Sequence, residues 1–474
     1  MPSDSERPGV RLNRLVLVHG LLAFTIVGIL LAWGALLSPP LKPLREALGI
    51  GELVGTRLYE GEFYIINPDE ELALEYMGRI AHYYHALFAA LLYGTLVALA
   101  IAFPRASSSW GHVLNLALIG SAMTIAGAIG YAYIFHEPEW HGLFIGGLAV
   151  LFTSGVLALV TSRPSSTLEK AAIVCGALLI VGGLIGGYIG SHYMDPSESL
   201  DFRKTVIKTR FNPEHGDENE LWRAWTGHQH AMVATSMALT FIAALGLVDL
   251  RLGRLSSIAV KIIAPATAIM ALASYSVWFF GKIAHLVITP AAVLLITSTT
   301  LLSFLAKPDG IATARGALVW AMRIVNIGIW IYVAIPGAII AMSLDEPTPL
   351  INPAFRDPSW DWAEIAFNIG HWHILLLAWG IALLSIAAVG VSDAIGRLSP
   401  ASIWMASLAF MVTGLGYLLY VLANGPGEFS HNPYNDIWVK VLVEPGLAAI
   451  TLSIIIVYLG TVKTVAARRS ISTM

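Results

Sequence analysis

The chain has 474 residues, 56% of them hydrophobic and 12% charged, with a formal net charge of −3. A soluble globular domain carries about a quarter charged residues, so this composition excludes a water-soluble globule and makes the bilayer the solvent. No basic aromatic patch is present, so a nucleic-acid partner is not expected, and a single cysteine, Cys175, excludes an internal disulfide, a thiolate metal cluster and covalent haem attachment.

Only helices and closed barrels satisfy their backbone groups in lipid, and apolar runs of about 20 residues are helices. Twelve are predicted, numbered 1 to 12 in chain order: 13–37, 79–103, 110–135, 140–162, 168–192, 223–249, 257–281, 283–306, 314–342, 364–390, 399–424 and 437–465. The first is long and lacks a small-residue cleavage site, so it is expected to be a retained span. One set of connections carries Arg7, Arg11, Arg14, Arg105, Arg163, Lys170, Arg251, Arg254, Lys307, Arg315, Arg397, Lys463, Arg468 and Arg469. The opposite set is poor in Lys and Arg and includes "FHEPEW" and "DEPTP". That bias places both termini in the cytoplasm of a cell (plasma) membrane protein. Three connections are long, at 38–78, 193–222 and 343–363. The second mixes charge with turn formers and suits a docking surface or a cover over the outer face. No linker divides the chain, so residues 1–474 are expected to form one membrane domain.

A weak repeat runs through the chain. "RIAHYYHALFAALLYG" opens helix 2, "RAWTGHQHAMVATSMAL" opens helix 6 and "NIGHWHILLLAWGIAL" opens helix 10. The three lie four helices apart, which predicts an all-α, twelve-helix polytopic protein built as three pseudo-symmetric four-helix arcs.

Each repeat carries a histidine pair: His82 and His85, His228 and His230, His371 and His373. Helical residues two apart point about 200° apart. His371 and His373 therefore face opposite sides of helix 10, as do His228 and His230 on helix 6, and one metal ion cannot take both. A planar cofactor on each side can. His82 and His85 share a face, where one ligand suffices. Neutral imidazole suits haem iron, and ionisable residues inside a membrane are functional by default. Arg79 and Arg223, about a turn outward of the first two pairs, are candidate partners for haem propionates. For a lone His112 or His141, interfacial hydrogen bonding is explanation enough.

"AHYYHALFAALL", "GHWHILLLAWG" and "EWHGLFIGGLAVLF" together resemble helices 2, 10 and 4 of the catalytic subunit I of haem–copper oxidases and the related nitric oxide reductases. The resemblance implies a subunit I-like fold, with His373 and His85 holding a low-spin haem and His371 a second haem facing helix 6. Helix 6 carries His228 and His230 in place of the family's His-Pro-Glu run, and Tyr275, Ser276 and Val277 stand where its histidine pair after helix 7 is expected. A second metal, copper included, is therefore not expected. Paired ligation of helix 2 with 10, 10 with 6 and 6 with 2 implies two or three non-covalent b haems, with iron held through His85, His373, His371, His228 and His230. The expected function is that of a b-type multi-haem respiratory redox subunit. It would exchange electrons with quinol or a periplasmic or extracellular redox partner, beside membrane lipid and other subunits of a respiratory complex. No catalytic residue is assigned. One alternative is a divergent terminal oxidase or nitric oxide reductase in which His285 or Glu364 rebuilds a second metal site. Another is a cofactor-free transporter using Arg323, Asn326 and Glu444.

Overall fold

A computed structural model describes residues 14–36, 41–47, 70–134, 138–193, 219–250, 253–338, 358–424 and 436–471. Most of the three long connections lies outside these residues, and with it the expected cover over one face. Among the described residues the chain is helical, with one isolated bridge between Leu250 and Ala306. Twelve helices are long and apolar enough to cross a membrane. They are α1 (Arg14–Leu36), α2 (Glu70–Ala102), α3 (Gly111–Ile129), α4 (Pro138–Thr161), α5 (Thr167–Tyr193), α6 (Asn219–Gly246), α7 (Arg254–Phe280), α8 (His285–Leu305), α9 (Ala314–Ile329), α10 (Pro358–Gly390), α11 (Leu398–Asn424) and α12 (Glu444–Ile471). Single π-helical turns extend α3 (Gly130–Ile134) and α9 (Trp330–Ala334) and precede α12 (Val439–Val443).

Local chemistry explains where several helices start. Ser166 and Glu169 form a reciprocal cap at α5: the Glu169 carboxylate accepts from the backbone amides of Ser165 and Ser166, while the Glu169 amide donates to the Ser166 hydroxyl. Thr313 caps α9 by accepting from the Gly316 amide at 3.0 Å. Helix α2 starts at Glu70, nine residues before the apolar run predicted from 79, because "EELALEYM" consists largely of good helix formers. Pro358 starts α10 six residues before the predicted 364; proline suits the first helical position, where its missing N–H costs nothing.

Consecutive helices pack side by side from α1 to α12, and α12 packs back on α1, so the helices close into a ring. Inside it α2, α6 and α10 pack against one another. Their apolar windows are 67%, 61% and 61% buried, against 50% or less for the other nine, which marks these three as the central helices. They are the helices that carry the histidine pairs.

Two contacts set this packing. Helices α3 and α4 touch backbone to backbone: a Cβ on Gly127 would lie 2.3 Å from the Phe144 nitrogen, and one on Gly147 2.3 Å from the Thr124 nitrogen. In lipid, where apolar area drives little association, such close approach supplies the van der Waals attraction. At the centre, the Trp379 indole of α10 donates to the Thr95 hydroxyl of α2 at 3.0 Å, and Thr95 lies 3.2 Å from the Thr240 hydroxyl of α6. All three side chains are buried. One small polar knot thus ties together the three histidine-bearing helices.

Candidate functional site

The histidines of α6 and α10 are presented as two-residue spacing dictates, each pair splitting to different neighbours. His371 faces α6 and α9. Its ring centroid is 5.9 Å from that of His230, and a Cβ on Gly337 would come within 3.2 Å of its Cε1. His373 faces α2 and α11. Its Nδ1 is 3.1 Å from the Tyr84 hydroxyl, and its ring lies 5.6 Å from that of Tyr417. On α6, His230 looks inward to His371, while His228 lies against α5 and α7. A Cβ on Gly186 would be 2.5 Å from the His228 Cε1, and the Tyr275 ring is 6.5 Å away. The His228 Nδ1 is buried without a hydrogen-bond partner among the described residues.

His230 and His371 line one cavity of about 430 Å³. Its walls are almost wholly apolar, built from α6, α7, α8, α9 and α10, and Trp379 closes it on the side of the central knot. Several polar side chains interrupt the walls, among them Ser274 and Thr289. His285, the first residue of α8, is a third imidazole on the lining. Thr299 and Asn326 form a buried pair, the Thr299 hydroxyl donating to the Asn326 Oδ1 at 2.6 Å while the Asn326 amide donates to the Met322 carbonyl at 2.7 Å. The π-helical turn of α9 places Trp330 and Val333 on the same wall. Such turns are frequent at functional sites.

On α2, His82 and His85 share a face, as expected: both rings contact Phe144 of α4, at 5.3 and 5.5 Å. His82 also meets His141 at 6.1 Å and Tyr131 at 4.9 Å. Of the three expected pairings, α10 with α6 is present as His371 beside His230. At the α2–α10 contact Tyr84 stands beside His373. His228 of α6 also lies within electrostatic range of His85 of α2. Arg79 and Arg223 lie on α2 and α6, but their side chains, like that of Glu364, are outside the described residues.

The polar residues named for a transporter do not converge. Arg323 donates to the Ser303 and Ala306 carbonyls at 3.0 Å and stacks on Trp320 and Phe304, so it caps the end of α8. Asn326 is on the cavity wall, and Glu444 is exposed on α12. Among the described residues no three His, Cys, Asp or Glu side chains cluster in a way that holds a metal ion. The sequence reading overlooked Tyr84, Tyr417, Thr299 and Gly186. Their residue types are commonplace, and only the fold brings them beside a histidine or the cavity.

A comparison of the chain with protein-family models, curated proteins and solved structures finds no match.

Proposed function

We propose that the chain is a membrane-embedded, b-type multi-haem redox subunit, similar in plan to subunit I of the haem–copper oxidases, that passes electrons without a second metal. The observation that carries this reading is the facing pair His230 and His371 at the wall of a largely apolar cavity. The two rings stand 5.9 Å apart, near enough that both could hold one metal ion through bonds of about 2.0 Å. The cavity volume falls in the usual range for ligand pockets, about 300–1,000 Å³.

A haem bound there supplies a one-electron couple. The protein's part is threefold. His230 and His371 would both hold the iron, and no position would remain for a gas. The apolar walls exclude water. The central knot holds α6 and α10 at fixed spacing. His373, on the other face of α10, serves a second haem, and the thickness of one helix, about 10–12 Å with side chains, separates the two. The proposal includes cytoplasmic termini, a plasma-membrane location, and quinol or a periplasmic redox protein as the electron partner.

His285 on the same cavity wall favours a second reading. There His371 alone holds the haem, and His230 with His285 faces it as ligands of another metal, giving a gas-reducing site. A pyridine haemochrome assay with a metal count on the purified protein tests both. The first reading expects b haem with trace copper and non-haem iron, and no carbon monoxide shift. Stoichiometric second metal with a large carbon monoxide shift establishes the second reading instead, and a colourless protein overturns both.

A further inference from the structure

We infer that Tyr84 is the positioning residue that fixes the tautomer of His373 and so sets the potential of the haem iron bound there. The inference rests on the haem reading above. The Tyr84 hydroxyl lies 3.1 Å from the His373 Nδ1, and the two rings meet edge to face at 5.8 Å. Tyr84 comes from α2 and His373 from α10, two of the three central helices, so the bond is held across a buried helix contact.

The chemistry follows from counting protons. A neutral imidazole carries one. A nitrogen that ligates iron must offer its lone pair, so ligation through Nε2 puts the proton on Nδ1. That N–H needs an acceptor, because a buried unsatisfied donor costs about 1–3 kcal/mol. The Tyr84 oxygen, 3.1 Å from Nδ1, is placed to be that acceptor. Metal-ligating histidines characteristically donate their second N–H in this way, which fixes the ring orientation and raises the basicity of the ligand. A more basic ligand favours ferric over ferrous iron. Tyr84 therefore lowers the potential of this haem. His371 stands against Gly337 and His230 on the other side of α10, out of the environment that Tyr84 gives His373.

The neighbouring Tyr83 provides an internal control. Its hydroxyl donates to the Leu30 carbonyl of α1 at 3.1 Å, away from His373. The experiment is a spectroelectrochemical titration of the purified, membrane-extracted protein as parent, Tyr84→Phe, Tyr83→Phe and Tyr84→Gln. Tyr84→Phe is expected to shift the ferric–ferrous equilibrium of one b haem about tenfold toward ferrous, about 59 mV upward for a one-electron couple. Its binding of that haem is expected to weaken about 10-fold or more. Tyr83→Phe keeps the parental potential, and Tyr84→Gln, which retains an oxygen acceptor, moves back toward it. If Tyr84→Phe loses that one haem altogether, haem retained by Tyr84→Gln supports the inference, and haem lost from both variants overturns it. Parental potentials and occupancy in Tyr84→Phe overturn it, as do equal shifts in the phenylalanine and glutamine variants, which would make packing the cause. A parent without haem removes the haem reading and this inference together.

Discussion

Trp379→Phe tests whether the central knot determines the spacing of the histidine helices. The substitution keeps an aromatic ring opposite Phe88, whose centroid is 5.0 Å away, but removes the indole N–H that reaches Thr95. An interhelical hydrogen bond in a membrane protein contributes about 0.6 kcal/mol on average and about 1.7 at most. Trp379 is fully buried, so the ring atoms lost also leave a void, adding roughly 2 kcal/mol at the usual cost of deleted core groups. The expected loss is therefore about 2–4 kcal/mol, measured as unfolding free energy in mixed micelles or by steric trapping in bicelles. A double-mutant cycle with Thr95→Val isolates the bond, because two variants that break one contact are non-additive. A coupling near zero together with a loss below about 0.5 kcal/mol, the range of ordinary surface changes, would refute the knot. Trp379 sits about two turns along α10 from His371, so slack there is also expected to disturb the His230–His371 spacing and broaden the spectrum of the haem they share.

Three further outcomes follow from the same geometry. His230→Ala and His371→Ala are each expected to convert one and the same b haem from six- to five-coordinate and open it to carbon monoxide, seen in reduced-plus-carbon-monoxide difference spectra; effects on two different haems would break the pairing. Gly186→Ala puts a Cβ 2.5 Å from the His228 ring, so α5 or the imidazole must yield by about 1 Å, and a melting temperature and spectrum identical to the parent's would show that this contact is absent. Arg323→Gln removes a charged cap from three carbonyls of the α8 end, with an expected stability loss of about 1–2 kcal/mol and no change in haem spectrum; loss of haem or of electron transfer would give Arg323 a role that its contacts do not explain.

The twelve spans were legible because apolar length is a strong signal and lipid permits few architectures. The four-helix spacing of the histidine pairs singled out α2, α6 and α10, and burial then shows them to be central. The two-sided presentation on α6 and α10 followed from helical geometry alone. What the sequence concealed depends on contacts between distant residues. Tyr84 is one of several tyrosines on its helix, and nothing in "AHYYH" distinguishes the hydroxyl that meets α10 from the one that meets α1. His141 stood alone in the sequence, yet α4 brings it beside His82. The early starts of α2 and α10 were missed because polar helix formers and a first-position proline extend a helix without extending its apolar run.

Helix α10 gives the sharpest test of the two-cofactor plan. The directions of His371 and His373 are about 200° apart by helical geometry, and their neighbours come from different helices: His230 and Gly337 for one, Tyr84 and Tyr417 for the other. Residues without shared partners act additively. His371→Ala should therefore remove or open one spectral component and His373→Ala a second, and the double variant should show the sum of the two difference spectra. A single haem held by this segment predicts something else, namely that either substitution removes the same component and the second adds nothing. Ligation by neither residue predicts unchanged spectra with a modest loss of stability. Spectra of the three variants beside the parent separate these outcomes, and loss of the same component in both single variants would end the two-sided interpretation of "GHWH".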